Sequence, residues 1–304
     1  MDILFSSIVA GVLFGMALAL VALGLTIIFG VMDIINFAHG EFLMIGMYTG
    51  LLTAQATGLD PLFSLPLAGV VGFLLGVACY MGFVKYLLRG PMIAQLLGTF
   101  GLMLFLRNLA LLIFGANDRT VHHGILVGRS FDVGMGIIIP ATKLAAAGLS
   151  LVAFVAVWLL MNRTKIGKAL TATALNPQGA RYMGIPTERM NALAWGIGGA
   201  SVTIAGALIV NFWSVNPYVG LLFTMLAFAI VALGGFGSVP GAFFAGIVVG
   251  LITEIPGFWD FLTYTFDVDW MADVPMTSFK YMWVYVAYFV IMVVRPRGLF
   301  GWKH

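Results

Sequence analysis

The run ILFSSIVAGVLFGMALALVALGLTIIFGVM, residues 3–32, carries no charged side chain. A helix needs ~20 predominantly apolar residues to cross the hydrocarbon of a bilayer, and this run exceeds that. It lacks a basic leader and is too long for the apolar core of a cleaved signal, so it reads as a retained first span. Working outward, no charge falls between Glu41 and Asp60, between Asp60 and Lys85, or between Lys143 and Arg163. The interval from Arg189 to Glu254 is longer and is divided by turn-forming clusters at Asn216-Pro217 and Gly234-Gly235-Phe236-Gly237-Ser238-Val239-Pro240-Gly241.

These intervals predict spans over Phe5–Phe29, Phe42–Thr57, Leu62–Tyr86, Met92–Gly115, Ile137–Met161, Ala192–Phe212, Tyr218–Phe236, Ala242–Ile255 and Tyr281–Val294. The fold class is all-α: a polytopic transmembrane helical bundle, a single domain over residues 1–304, with a broken or re-entrant second span. Composition agrees. Of 304 residues, 62% are hydrophobic and 9% charged, against roughly 25% charged in a soluble domain, so the charged surface that water requires is missing.

The single cysteine, Cys79, excludes an intramolecular disulfide and a cysteine metal cluster. No Gly-x-x-x-x-Gly-Lys-Ser/Thr phosphate loop occurs, so any ATP is hydrolysed by another chain. His39, His122, His123 and His304 are scattered, and no catalytic constellation is suggested. The chain reads as neither an enzyme nor a cofactor or metal protein. The net charge of +3 does not point to nucleic acid, because the basic residues sit in short groups between apolar runs.

Those groups set orientation instead, since Lys and Arg in short loops mark the cytoplasmic side. Lys85, Arg89, Arg163, Lys165, Lys168, Arg181, Arg189, Arg295, Arg297 and Lys303 fall on one side. Asp60, Asp118, Asp132, Asp260, Asp267, Asp269 and Asp273 fall on the other, with Arg119 and Arg129 as its few basic residues. The N-terminus is expected outside and the C-terminus in the cytoplasm.

Three stretches carry candidate function. In the first, Asn36, His39 and Glu41 crowd between two apolar runs; either they form a cytoplasmic turn that starts the next helix or they line a path. The second, residues 162–190, is the longest inward loop, with Ala-rich helical material stopped by Gly184-Ile185-Pro186. It is either a solvated loop or an amphipathic helix that docks in a partner's groove. The third runs from Asn216-Pro217-Tyr218 to Leu233–Ala242, where glycines suit a tight helix joint or a gate. Arg107 lies inside the span Met92–Gly115; it either snorkels toward the nearby outer surface, pairs within the bundle, or meets a solute carboxylate.

Taken together, Ile35-Asn36-Phe37-Ala38-His39-Gly40-Glu41-Phe42, Gly184-Ile185-Pro186, Asn216-Pro217-Tyr218, the Leu233–Gly241 glycine stretch and the closing Arg295-Pro296-Arg297-Gly298-Leu299-Phe300-Gly301 resemble the branched-chain amino acid permease family of ABC importers, in its LivH class. The resemblance runs from about Phe5 to Gly301 and departs at Leu226, where many relatives carry a lysine. It implies a bacterial inner-membrane permease that moves branched-chain or related hydrophobic amino acids inward by alternating access. The same family also includes permeases for urea, short amides and aromatic carboxylates; an ATP-independent secondary transporter or channel is the reading from another class.

The implied partners are a homologous LivM-like permease, two cytoplasmic ATPase subunits, a periplasmic substrate-binding protein and the lipid bilayer. By the same resemblance, Asn36, His39, Glu41, Asn211, Asn216 and Tyr218 lie near the translocation path. Ala174, Asn176, Ala180, Gly184, Ile185 and Glu188 belong to the coupling helix that enters an ATPase groove. The outer segment Pro256–Phe279 is read either as part of a platform for the binding protein or as an interfacial aromatic belt.

Overall fold

In the computed structural model, residues 2–121, 124, 126–132, 138–254, 259, 279–295 and 298–299 are described. Most of Pro256–Phe279, the three histidines at 122, 123 and 304, and much of the closing Arg295–Gly301 motif lie outside them.

The helices are α1 (Asp2–Met32), α2 (His39–Thr57), α3 (Leu65–Cys79), α4 (Lys85–Leu87), α5 (Met92–Phe114), α6 (Ala141–Arg163), α7 (Lys165–Leu175), α8 (Pro177–Tyr182), α9 (Thr187–Ile209), α10 (Val219–Gly234), α11 (Val239–Thr253) and α12 (Lys280–Val294). A π-helical turn, Tyr80–Val84, joins α3 to α4 without a break, so the span runs continuously to Leu87. Strands β1 (Ser130–Asp132) and β2 (Ile138–Pro140) form a small antiparallel hairpin before α6, in a bundle otherwise built of helices. The hairpin moves the start of that span from Ile137 to Ala141.

Each provisional span coincides with a helix among the described residues. Among the described residues five helices are long and apolar enough to cross a bilayer outright, and α10 with α11, bent by 120° at their turn, form either one broken span or a re-entrant loop. α1 and α9 are buried for most of their length, whereas α3, α5 and α6 expose most of theirs. Exposed Leu, Ile, Val and Phe on α3, α5, α6 and α12 are what a helix presents to lipid or to a second membrane protein.

The level at which α2 begins is the decisive detail. Residues 33–38 leave helical geometry after α1, and α2 runs unbroken from His39. The His39 ring lies beside Gly24 of α1, which in turn packs against Gly198, the midpoint of α9. From there α2 runs beside α9 in the same direction, with Gly46 against Thr203 and Gly50 against Ala207. α10 starts at the same level, where Gly220 meets Gly40, and runs the opposite way to the end of α1, where Phe29 and Phe236 pack at 4.6 Å. α11 then returns antiparallel to α1, with Gly246 and Ile247 at Gly15 and Leu251 at Gly11. Two helix N-termini therefore face each other inside the bundle.

Candidate functional site

The site is built where those two N-termini meet. Asn36 Oδ1 accepts from the Ala38 backbone N–H at 3.0 Å, the Asn36 carbonyl accepts from His39 N–H at 3.4 Å, and the Ala38 carbonyl accepts from Glu41 N–H at 3.0 Å. These bonds satisfy amides that the first turn of a helix leaves without partners. The Gly40 N–H crosses to α10 and donates to Thr224 Oγ1 at 2.9 Å, while Thr224 donates to the Gly220 carbonyl at 2.9 Å. His39 Nε2 donates to the Val21 carbonyl of α1 at 2.8 Å.

Glu41 stands in the first turn of α2 and is fully buried. Arg107 of α5 donates to its Oε1 twice, from Nη2 at 2.7 Å and from Nε at 3.2 Å, and the Arg107 side chain is 13% exposed. Of the three readings of Arg107, pairing within the bundle is the one observed: the arginine turns inward to a buried carboxylate, and each charge offsets part of the other's cost of leaving water. Glu41 Oε2 and Asn36 Nδ2 have no hydrogen-bond partner among the described residues. Oε2 also lies against Gly220, in the first turn of α10.

A carboxylate near the positive end of a helix is stabilised, and here it lies beside two such ends. α5 itself touches the bundle along one narrow face, through Thr99, Met103, Leu106 and Ala110, with Thr99 Oγ1 donating to the Ile35 carbonyl at 2.9 Å. The arrangement offers no nucleophile with a base. It can hold polar groups at a depth where lipid would reject them and can exchange ion-pair partners.

Three of the residues read as lining a path, Asn36, His39 and Glu41, are thus brought together. The other three are not. Asn211 sits just past the end of α9 and donates to the Ala207 and Leu208 carbonyls at 3.2 and 3.1 Å. Asn216 donates to Asp118 Oδ1 at 2.6 Å and accepts from the Tyr218 N–H at 2.8 Å, forming the turn that starts α10. The Tyr218 side chain is exposed. Arg107, Thr99 and Thr224 are the members of the cluster that the motif reading left out. Their only sequence cue is polarity inside an apolar helix.

The segment read as a coupling helix is two helices and a glycine turn. Thr164 and Asn176 cap α7 and α8 by accepting from the Gly167 and Gly179 N–H groups. α8 ends with Ile185 N–H donating to the Ala180 carbonyl at 2.9 Å and Gly184 N–H to the Arg181 carbonyl at 3.0 Å, with Gly184 at φ +80°. That pattern is a Schellman ending, and the left-handed residue it requires is supplied by glycine. Ala180 faces inward, while Asn176, Gly184 and Glu188 are exposed and Ala174 and Ile185 half-buried. Leu175, Tyr182 and Met183 are among the most exposed large side chains of the molecule. A cleft of about 1040 Å³ lies between this segment, the end of α1 and the α10–α11 turn, lined by Thr26, Trp158, Ala174, Leu175 and Phe236 among others.

Comparison with known proteins gives the architecture its context. The model of the family described as branched-chain amino acid transport system / permease component matches residues 7–294. The high-affinity branched-chain amino acid transport system permease protein LivH of Salmonella typhimurium is 29% identical, covering 96% of this chain and 93% of that protein. The corresponding protein BraD of Pseudomonas aeruginosa is 27% identical over 97% of this chain and 94% of its own length. Among solved structures, PsaBC from Streptococcus pneumoniae in complex with Fab matches with a TM-score of 0.48 at 12% identity, covering 95% of this chain and 91% of that one. With a family match over nearly its whole length and a bundle of membrane-spanning helices, the chain belongs to the branched-chain amino acid transport system permease family and is a multi-pass membrane transport component rather than an enzyme.

Proposed function

We propose that this chain is the permease subunit of an ATP-driven importer that moves branched-chain or related hydrophobic amino acids inward by alternating access. The observation that carries the reading is the family match over residues 7–294. The chain works in the bacterial inner membrane as a single permease domain, with a homologous permease, two cytoplasmic ATPase subunits and a periplasmic binding protein. Residues 162–190 are its handle for the ATPases.

The distribution of charge supports the orientation. Asp33, at the end of α1, shares a small cleft with Leu88 of the α4 end and with Arg181, so the basic groups around Lys85–Arg89 and Arg163–Arg189 gather at one end of the bundle. By the positive-inside rule that end is cytoplasmic, with the N-terminus outside and the C-terminus inside. The protruding Leu175, Tyr182 and Met183 suit insertion into a groove on a cytoplasmic partner. Asn36, His39 and Glu41 form the inner part of the solute path, and Asn211, Asn216 and Tyr218 lie on its outer approach. ATP binding by the partners moves this handle, and the two permeases rock between states that differ in their affinity for the binding protein and the solute; that difference is what shifts the equilibrium.

The test is reconstitution of the chain with its partner permease, ATPases and binding protein in liposomes, followed by uptake of labelled leucine. Uptake should require ATP and every partner. Leucine transport by this chain alone in ATP-free vesicles would sink the proposal.

A further inference from the structure

Around Glu41 charges of both signs stand side by side. Arg107 contributes a full positive charge, and the N-termini of α2 and α10 contribute about half a charge each, against the single carboxylate of Glu41. The cluster therefore presents a positive pole, Arg107 with the helix N-termini, and a negative pole, Glu41, within one site. It also holds two fully buried atoms without hydrogen-bond partners among the described residues: Asn36 Nδ2, a donor, and Glu41 Oε2, an acceptor. Leaving such atoms unpaired is costly, and a ligand that pairs them recovers that cost.

We infer that this cluster is the permease's own recognition site for a zwitterion. In the open state the solute's carboxylate takes over Arg107 with help from the Asn36 amide, and its ammonium takes the Glu41 carboxylate. Glu41 and Arg107 close on each other when the solute has left, which is the arrangement seen here. No bond is made or broken; ion-pair partners are exchanged. The narrow contact of α5 with the bundle lets Arg107 withdraw without dismantling the core around α1 and α9. The inference rests on the transport role proposed above and names the side chains that would hold its solute's two charged groups; urea and short amides carry neither group.

Two experiments test it. In the complete reconstituted importer, E41Q/R107Q removes both charges together, so neither is left buried alone; leucine uptake should fall at least tenfold, whereas R107K, which keeps the charge, should retain a third or more. Uptake by E41Q/R107Q within twofold of wild type would overturn the inference. The second experiment needs no substitution: millimolar leucine should raise the melting temperature of the purified wild-type complex without binding protein, and leucinamide, which lacks the carboxylate, should not. Equal shifts would overturn it. Absence of ATP-dependent leucine uptake by the wild-type importer would instead count against the transport role.

Discussion

Gly40 and Gly220 meet backbone to backbone where α2 and α10 begin. A methyl group on Gly40 would collide with the Gly220 carbonyl oxygen and the Thr224 hydroxyl; one on Gly220 would come within 2.8 Å of the Gly40 carbonyl oxygen and 2.9 Å of Glu41 Oε2. Side chains at this joint would therefore have to push apart the two helices that enclose the polar cluster. Gly40→Ala and Gly220→Ala should each destabilise the protein by ~1–3 kcal/mol, the usual cost of overpacking. Gly101→Ala, at a mid-helix site on α5 with nothing within 4 Å, should leave stability unchanged or raise it by up to about 1 kcal/mol. Melting of the purified protein followed by light scattering measures all three, and equal melting temperatures would refute the close approach.

Arg107 and Glu41 make a second prediction from asymmetry. Removing either partner leaves a buried charge alone, which costs ~3–5 kcal/mol, whereas removing both does not. Arg107→Met and Glu41→Gln should each lower the melting temperature, with the double variant more stable than Arg107→Met. If the single and double variants lose stability additively, the two side chains do not interact.

The spans are legible in the sequence because hydrocarbon excludes charge: the interval before Asp33 ends where α1 ends, and α5 covers Met92–Phe114 against a reading of Met92–Gly115. What charge spacing cannot show is depth. The interval after Glu41 suggests a helix from Phe42, yet Asn36 and its turn start α2 at His39 and carry three polar residues into the bundle. The pairing of Glu41 with Arg107 is hidden for a related reason. Residues 66 apart meet only through the docking of α5, which no local pattern encodes. Asn216 and Tyr218 show the converse case, since a motif that stands out in the sequence is used largely to start α10.

Gly184 tests the turn between α8 and α9. Its φ of +80° costs a side chain about 1–2 kcal/mol, but the space around it is empty. Asparagine tolerates that conformation, so Gly184→Asn should transport normally. Gly184→Val should displace α8, raise the ATP hydrolysed per leucine imported and leave binding-protein affinity intact. The ratio of phosphate released to leucine accumulated measures this, and an unchanged ratio for the valine variant would remove the turn from the coupling path.

Tyr182 and Met183 separate docking from folding. Both side chains are more than four-fifths exposed, so truncating them removes almost no packing within the chain, and surface changes of that kind usually stay within ±0.5 kcal/mol. If they fill a groove on the ATPase, truncation loses contacts of the kind that dominate an interface, where a central aromatic contributes 2 kcal/mol or more, roughly a thirtyfold loss of affinity. The double variant Tyr182→Ala/Met183→Ala should therefore melt like wild type yet fail to retain the ATPase subunits on an affinity column. Arg181→Ala makes a useful contrast. Its Nε donates to Thr187 Oγ1 at 2.7 Å across the α8–α9 turn, so its loss should loosen the turn itself and lower stability as well as retention. If the Tyr182/Met183 variant holds its ATPases as firmly as wild type, the protruding tip of α8 is not the handle, and coupling must enter through another face of residues 162–190.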